Sequence, residues 1–259
     1  MVMKQAAVVG LASDHFLAWQ ESTNKAKMLD AWARGANEDP AMPAKATGSD
    51  EYQALAKFSA TPWAHLIISS AAQSLSVIDQ RKTSSGESTR TFTQAWRPNS
   101  MLSRQRAIYR GALAHNLAYA STLPGERPHT NAPMPIVRGV SATKMAAFYD
   151  DEAADDFARF AMWGELQRPK NADPFIAVRI YDESHAYFLS CKTDGSAMTF
   201  LDRRRHGVGV TPFHRFSPRL DLEGRATGEI EPFLPLLHRL DQDVFDRLIV
   251  QRFNSWKVR

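Results

Sequence analysis

His206-Gly-Val-Gly-Val-Thr-Pro-Phe-His-Arg-Phe216 runs into Pro218-Arg-Leu-Asp-Leu-Glu-Gly224 and then into a long amphipathic segment, 229–253. The first piece reads as a short strand, the second as a Pro/Gly loop and the third as a helix. At about 100° per residue, Ile230, Phe233, Leu237, Leu240, Val244, Phe245, Leu248 and Ile249 fall in one arc. That arc spans about half the circumference, wider than the apolar stripe of an ordinary surface helix. Such a helix is expected to bury against its own domain and against a second body. Asp241 and Arg252 lie in the same arc, about 16 Å apart along the axis, too far to pair with each other. Buried charges need partners, so either both sit at a wet edge of the arc or they meet a neighbouring subunit, together with Phe245 and Ile249. Pro232 suits the first turn, whereas Pro235 demands a kink or a helix that begins nearer to it. Asp243 and Arg247 make a favourable i, i+4 pair.

Upstream, 133–213 carries short apolar runs divided by Gly, Pro and Asp: 136–137, 145–149, 157–163, 175–181, 186–191, 197–201 and 208–213. These read as strands. Before them the pattern is helical. Residues 6–34 form one helix or two with a break, with Leu11, Leu17, Met28, Leu29 and Trp32 supplying the apolar face and Gly35 the stop. Residues 37–50, with Pro40, Pro43 and Gly48, read as a loop. A second helix starts near Asp50. Thr61-Pro62 opens another, with Thr61 as N-cap and Pro62 at the first helical position. Residues 75–79 look strand-like and 81–89 form a polar turn around Gly86. A long helix over 99–120 carries Ala112, Ala114, Ala118 and Ala120, which permit close approach of a neighbour, and Pro124-Gly125 ends it. Helices first and strands afterwards make an α+β chain: N-terminal helices, a mostly antiparallel multi-strand sheet, then the long C-terminal amphipathic helix. The divisions expected are a helical arm over 1–49, an α+β body over 50–228 and the terminal helix over 229–259.

Hydrophobic residues make up 44% of the chain, which supports a real core rather than disorder. A net charge of +4 and a pI near 9.2 are mildly basic and do not by themselves demand nucleic acid. The single cysteine, Cys191, excludes a disulfide framework within one chain and points to a reducing compartment. No apolar run is long enough to span a bilayer. Residues 6–12 after Lys4 faintly mimic a signal-peptide core but run straight into helix-forming sequence.

The terminal stretch, "GVTPFHRFSPRLDLEGRATGEIEPFLPLLHRLDQDVFDRLIVQRFNSWKVR", closely resembles the middle of portal proteins from tailed phages, in the branch where a G-V-x-P strand meets GR…GEIEP and DRL-V-QRF. The motif is long and contiguous. Weaker resemblance in "AWRPNSMLSRQRAIYRGALAHNLAYASTLPG" and "FYDDEAADDFARFAM" extends it over most of 50–259, while 1–49 match only loosely. Chains of this family continue well past the position of Arg259, so the resemblance implies the N-terminal portion of a longer product. It further implies a ring of identical subunits, usually a dodecamer, at one vertex of the phage head. That ring is the channel through which double-stranded DNA is packaged and ejected. It would meet the major capsid protein, the terminase large subunit and a head–tail adaptor. The implied location is the virion, with assembly in the host cytoplasm and no membrane. The body would be the outer wing and 229–259 the start of the stem wall. No cofactor and no covalent chemistry are implied.

Residue patterns that carry chemistry point the same way. Ser141-Ala-Thr-Lys144 matches the S-x-x-K nucleophile motif, but the companion motifs are missing; a strand-edge serine is the simpler reading. Asp150, Asp151, Glu152, Asp155 and Asp156 could hold Mg²⁺ for a DNA-processing enzyme, or form a solvated turn, which the lack of EF-hand order favours. A metal-dependent nuclease and a monomeric prophage-remnant interaction protein are the two rivals to the ring. The eight histidines show no paired metal spacing, although His206 and His214 flank a strand near Asp202. Gly207-Val-Gly209 is not a dinucleotide fingerprint, and there is no P-loop, so the chain is not the ATP-driven motor. Arg203, Arg204 and Arg205 could face DNA phosphate or lie on a solvated hairpin flank or an intersubunit ion-pair surface. The latter suits a channel through which DNA must slide.

Overall fold

A computed structural model describes residues 2–36, 50–81, 83–87, 89, 92–126 and 133–256. Of the expected loop over 37–50, residues 37–49 lie outside them, as do the last residues, 257–259, while Asp50 already begins a helix.

Helix α1 (Gln5–Arg34) is continuous. It carries Val8, Ala12, Phe16 and Trp19 at helical spacing on one stripe, and all four are buried. Gly35 ends it as expected: at φ 65° it turns the chain left-handed, which a glycine does without steric cost. Helices α2 (Asp50–Ser59), α3 (Trp63–Gln73) and α4 (Met101–His115) follow, with one π-helical turn, Phe92–Trp96, before α4. The Thr61 hydroxyl does not cap α3. It donates to Ser59 O at 3.1 Å, and Pro62 stands in the cap position before Trp63.

The strands form two antiparallel sheets. β1 (Ala118–Glu126), β2 (Pro133–Ser141) and β8 (Phe213–Phe216) make a three-stranded sheet in the order β2-β1-β8. β3 (Met145–Phe148), β4 (Phe160–Gln167), β5 (Phe175–Tyr181), β6 (His185–Lys192) and β7 (Thr199–Arg205) make a five-stranded meander in sequence order. Successive side chains alternate faces. Phe160, Met162, Ile176, Val178, Ile180, Tyr187, Leu189 and Cys191 therefore point to the face that α1 covers. Ala161, Tyr181 and Ala186 point to the other face, where Phe213 and Tyr119 of the small sheet join them. Beside them, that second face bears a ladder in which Arg179 stacks on Trp163 and Phe188, and Arg204 on Phe188, at 5.1–5.8 Å.

Glycine sets how closely α1 lies on the sheet. A Cβ on Gly164 would sit 2.2 Å from Cζ2 of Trp19, and one on Gly195 would sit 2.4 Å from Cδ1 of Phe16. Trp19 Nε1 donates to Lys144 O at 3.1 Å, so its one polar atom is satisfied inside the contact. Four α1 side chains, Val8, Ala12, Phe16 and Trp19, thus belong to the main core.

Several expected boundaries move. The helix expected over 99–120 stops at His115, because Asn116 adopts φ 69° and β1 begins at Ala118. The alanines suit a helix, but pairing with β2 on one side and β8 on the other overrides local preference. Pro124 and Gly125 lie inside β1 beyond the reach of β8, on an edge that tolerates a missing N–H. Residues 75–79 form no strand: Val77 exchanges hydrogen bonds with the buried side-chain amide of Gln105, at 2.8 and 3.2 Å. Residues 208–212 bend instead of forming a strand, since Gly207 and Gly209 take positive φ, and β8 starts only at Phe213. At the end of the chain, a 3₁₀ turn (Glu231–Phe233) leads into α5 (Leu234–Trp256). Pro235 is therefore in the first turn, where its missing N–H has no intrahelical partner to lose.

Candidate assembly surface

α5 joins the body through α2, α3 and α4. Ile230 and Leu237 enter a cluster with Ala33, Ala64, Ile68, Ala72, Leu113 and Ala114. Two polar junctions fix its approach. At the first, Asn116 accepts from Gly228 N–H at 2.9 Å and donates from Nδ2 to the Glu231 carboxylate, which Lys25 also meets at 2.6 Å. Glu229 N–H closes the junction by donating to Leu113 O at 2.9 Å, capping the exposed carbonyl end of α4. At the second, Asp241 is 4% exposed and accepts from Thr61 N–H at 3.0 Å.

These contacts revise the argument that Asp241 needs an outside partner. Thr61 of the same chain, in the link between α2 and α3, supplies one through its backbone amide. Phe245 is 0% exposed and likewise belongs to the chain's own interior. Ile249 and Arg252 are half-buried. Among the described residues, the large apolar side chains that α5 leaves exposed are instead Leu236, Leu240 and Val250, preceded by Phe233. On α2 and α3 they are Phe58, Trp63 and Leu66. The Asp243–Arg247 pair forms at 3.0 Å on the outer side.

The three arginines do not make one patch. On β7 they alternate faces, with Arg203 opposite Tyr187, Arg204 opposite Ala186 and Arg205 opposite His185. Arg204 pairs with Asp202 at 3.1 Å and stacks on Phe188. β7 is an outer strand of its sheet, so a charged run lies along a free edge.

The other sequence candidates resolve locally. In the acidic segment, Asp151 accepts from Ala153 and Ala154 N–H, Asp155 accepts from Asp151 N–H at 2.8 Å, and Asp150 meets Arg159 at 3.3 Å. These are turn-forming bonds. Among the described residues no three His, Cys, Asp or Glu side chains gather as a metal site would require. Ser141 bonds Thr143, while Lys144 reaches away to Glu165 at 2.5 Å, so the S-x-x-K pair is not assembled. His206 donates from Nε2 to Asp182 O and accepts Val208 N–H at Nδ1, and burial holds its pKa below the ordinary value. His214 packs on Phe157. Burial also pushes the Cys191 thiol up to about 11, an unreactive state.

Sequence reading missed Asp182, which closes the β5–β6 turn. It accepts from the amides of Ser184 and His185 and from the hydroxyls of Ser184 and Tyr187, at 2.6–3.1 Å. Burial alone would raise this carboxyl, but those four donors outweigh it and hold the pKa below the usual value. The Asp-Glu-Ser sequence carries an Asx-turn signal that could have found the site.

An α+β body, a terminal helix docked by polar pins, and no assembled catalytic group among the described residues frame the comparison with known families. Residues 20–259 match the family of phage portal proteins, SPP1 Gp6-like. The chain belongs to this family. No curated protein matches it. Membership makes it a structural protein of the phage portal, tied to the capsid vertex of the virion. In general, portal proteins are non-enzymatic and assemble as ring oligomers that work with capsid and packaging proteins. Among the described residues no helix is long and apolar enough to cross a membrane.

Proposed function

We propose that this portal chain forms a closed ring, a dodecamer, whose axis is the channel for packaging and ejecting double-stranded DNA. The family match over 20–259 carries this reading. In it, the two sheets with α1 are the wing-type body, and 229–259 open the stem wall. The ring meets the major capsid protein around its rim, the terminase large subunit during packaging and a head–tail adaptor afterwards. Its contacts are heterologous and close by rotation. The exposed apolar residues Leu236, Leu240 and Val250 on α5 support a helix that meets neighbours. Ile249 and Arg252 lie next to that surface in sequence, while Asp241 and Phe245 contribute by holding the helix in place. Arg203 and Arg205 make no ion pair among the described residues and are the cations on offer to passing DNA.

Native mass measurement with negative-stain images tests this. The expected result is a ring with a central hole. A monodisperse monomer at high concentration would overturn it and favour a solitary interaction protein. Mg²⁺-dependent DNA cleavage lost in Asp150→Ala/Asp155→Ala would favour the nuclease instead.

A further inference from the structure

One cavity and one protrusion of this chain have opposite characters. The cavity, about 560 Å³, opens between α1, α3, α4 and the β1–β2 sheet. Its floor is apolar, from Ile68, Ile108 and Val140. Its rim is basic: Arg104 and Arg110 are exposed and make no ion pair among the described residues. In its wall is His115, whose side chain is only 9% exposed; Nε2 meets Asp30 at 3.0 Å and the buried Nδ1 has no hydrogen-bond partner.

The protrusion is the hairpin closed by the Leu220–Ala226 bridge. At its tip Leu222 is 96% exposed, between Asp221 and Glu223. The tip is rigid. Asp221 accepts from Glu223 and Arg225 N–H at 3.0 and 2.7 Å. Gly224 lies so close to Glu152 that a Cβ would sit 2.5 Å from its backbone. A leucine held fully in water costs free energy that burial would return, and a preordered loop loses little entropy on docking.

We propose that the Leu222 tip of one copy seats in the arginine-rimmed cavity of the next. Leucine lies on the apolar floor, and Asp221 and Glu223 face Arg104 and Arg110. A protrusion and a recess at different places on one chain make a head-to-tail contact, the kind a ring repeats. This rests on the ring reading above and names its contact.

Sedimentation and native mass of the full chain test it, comparing wild type, Leu222→Asp, Arg104→Glu/Arg110→Glu and an equimolar mixture of the two variants. All substituted side chains are exposed, so melting temperatures should match wild type; if the double charge reversal fails to fold, Arg104→Gln/Arg110→Gln replaces it. Each variant alone should associate about tenfold or more weakly and lose rings, as removing one buried leucine contact requires. The mixture should give dimers and no rings, because one intact tip meets one intact cavity only once. Rings formed by Leu222→Asp overturn the proposal and leave the ring reading standing, whether or not the cavity variant loses them. A mixture without dimers also overturns it. A wild-type chain that stays monomeric overturns both readings.

Discussion

Around Trp19, α1 is held by shape: an indole laid on Gly164, a phenyl on Gly195, and apolar strands beneath. Around Asn116, α5 is held by a few directed bonds between segments far apart in sequence. Dispersion and burial in the first region are spread over many atoms, so they tolerate small errors and resist large deletions. Hydrogen bonds in the second are few and directional, each one fixing an angle. A family that builds rings needs that second property where its terminal helix leaves the body, since a small error in angle would recur at each subunit around the ring.

Substitutions at three positions probe these regions, in falling order of effect. Trp19→Ala empties the contact under α1 and should cost about 3–5 kcal/mol, lowering Tm by roughly 10 °C in a single cooperative transition. Calorimetry that shows a loss below about 1 kcal/mol would break the view of α1 as core. Asn116→Ala removes both side-chain bonds and strains a positive-φ position, for about 2–3 kcal/mol. Here the comparison predicts a local effect: hydrogen exchange should speed first at the Gly228 and Glu229 amides, while the five-stranded sheet stays protected. Asn116→Gly, which keeps the backbone freedom, separates the lost bonds from the strain. Uniform loss of protection would erase the distinction between the two regions.

The smallest effect depends on pH. The Asp182 carboxyl lies below its ordinary value in the folded chain. Its stabilisation is therefore full above the unfolded-state value of about 4 and disappears as pH falls through the folded value. Urea titrations should find wild type losing more stability than Asp182→Asn between neutral pH and acid. Equal slopes would show that the four bonds to Asp182 do not favour its charged form.

Short apolar runs over 157–163, 175–181 and 186–191, divided by Gly, Pro and Asp, exposed three strands of the large sheet to within a few residues, because each strand buries one face under α1. The α+β class followed from them. The Ala-rich run after 112 misled, since its conversion to β1 depends on β2 and β8, which lie elsewhere in the chain. The proposed interface was half legible. The apolar arc of α5 was readable from spacing, but Asp241 looked orphaned because its donor is a backbone amide at Thr61, and no side-chain pattern announces an amide. Leu222 had no signal in the sequence either: only the folded hairpin reveals that it stands in water.

The charged border of β7 has one more consequence. In a family whose members assemble from identical copies, a bare strand edge is a place where one sheet could zip onto another. Arg203, Arg204 and Arg205 set mutual repulsion along that border, since two such borders brought alongside would stack cation on cation. Sheet extension along that border is thereby disfavoured, which leaves recognition between copies to side chains, the mode that the proposed circle of subunits requires.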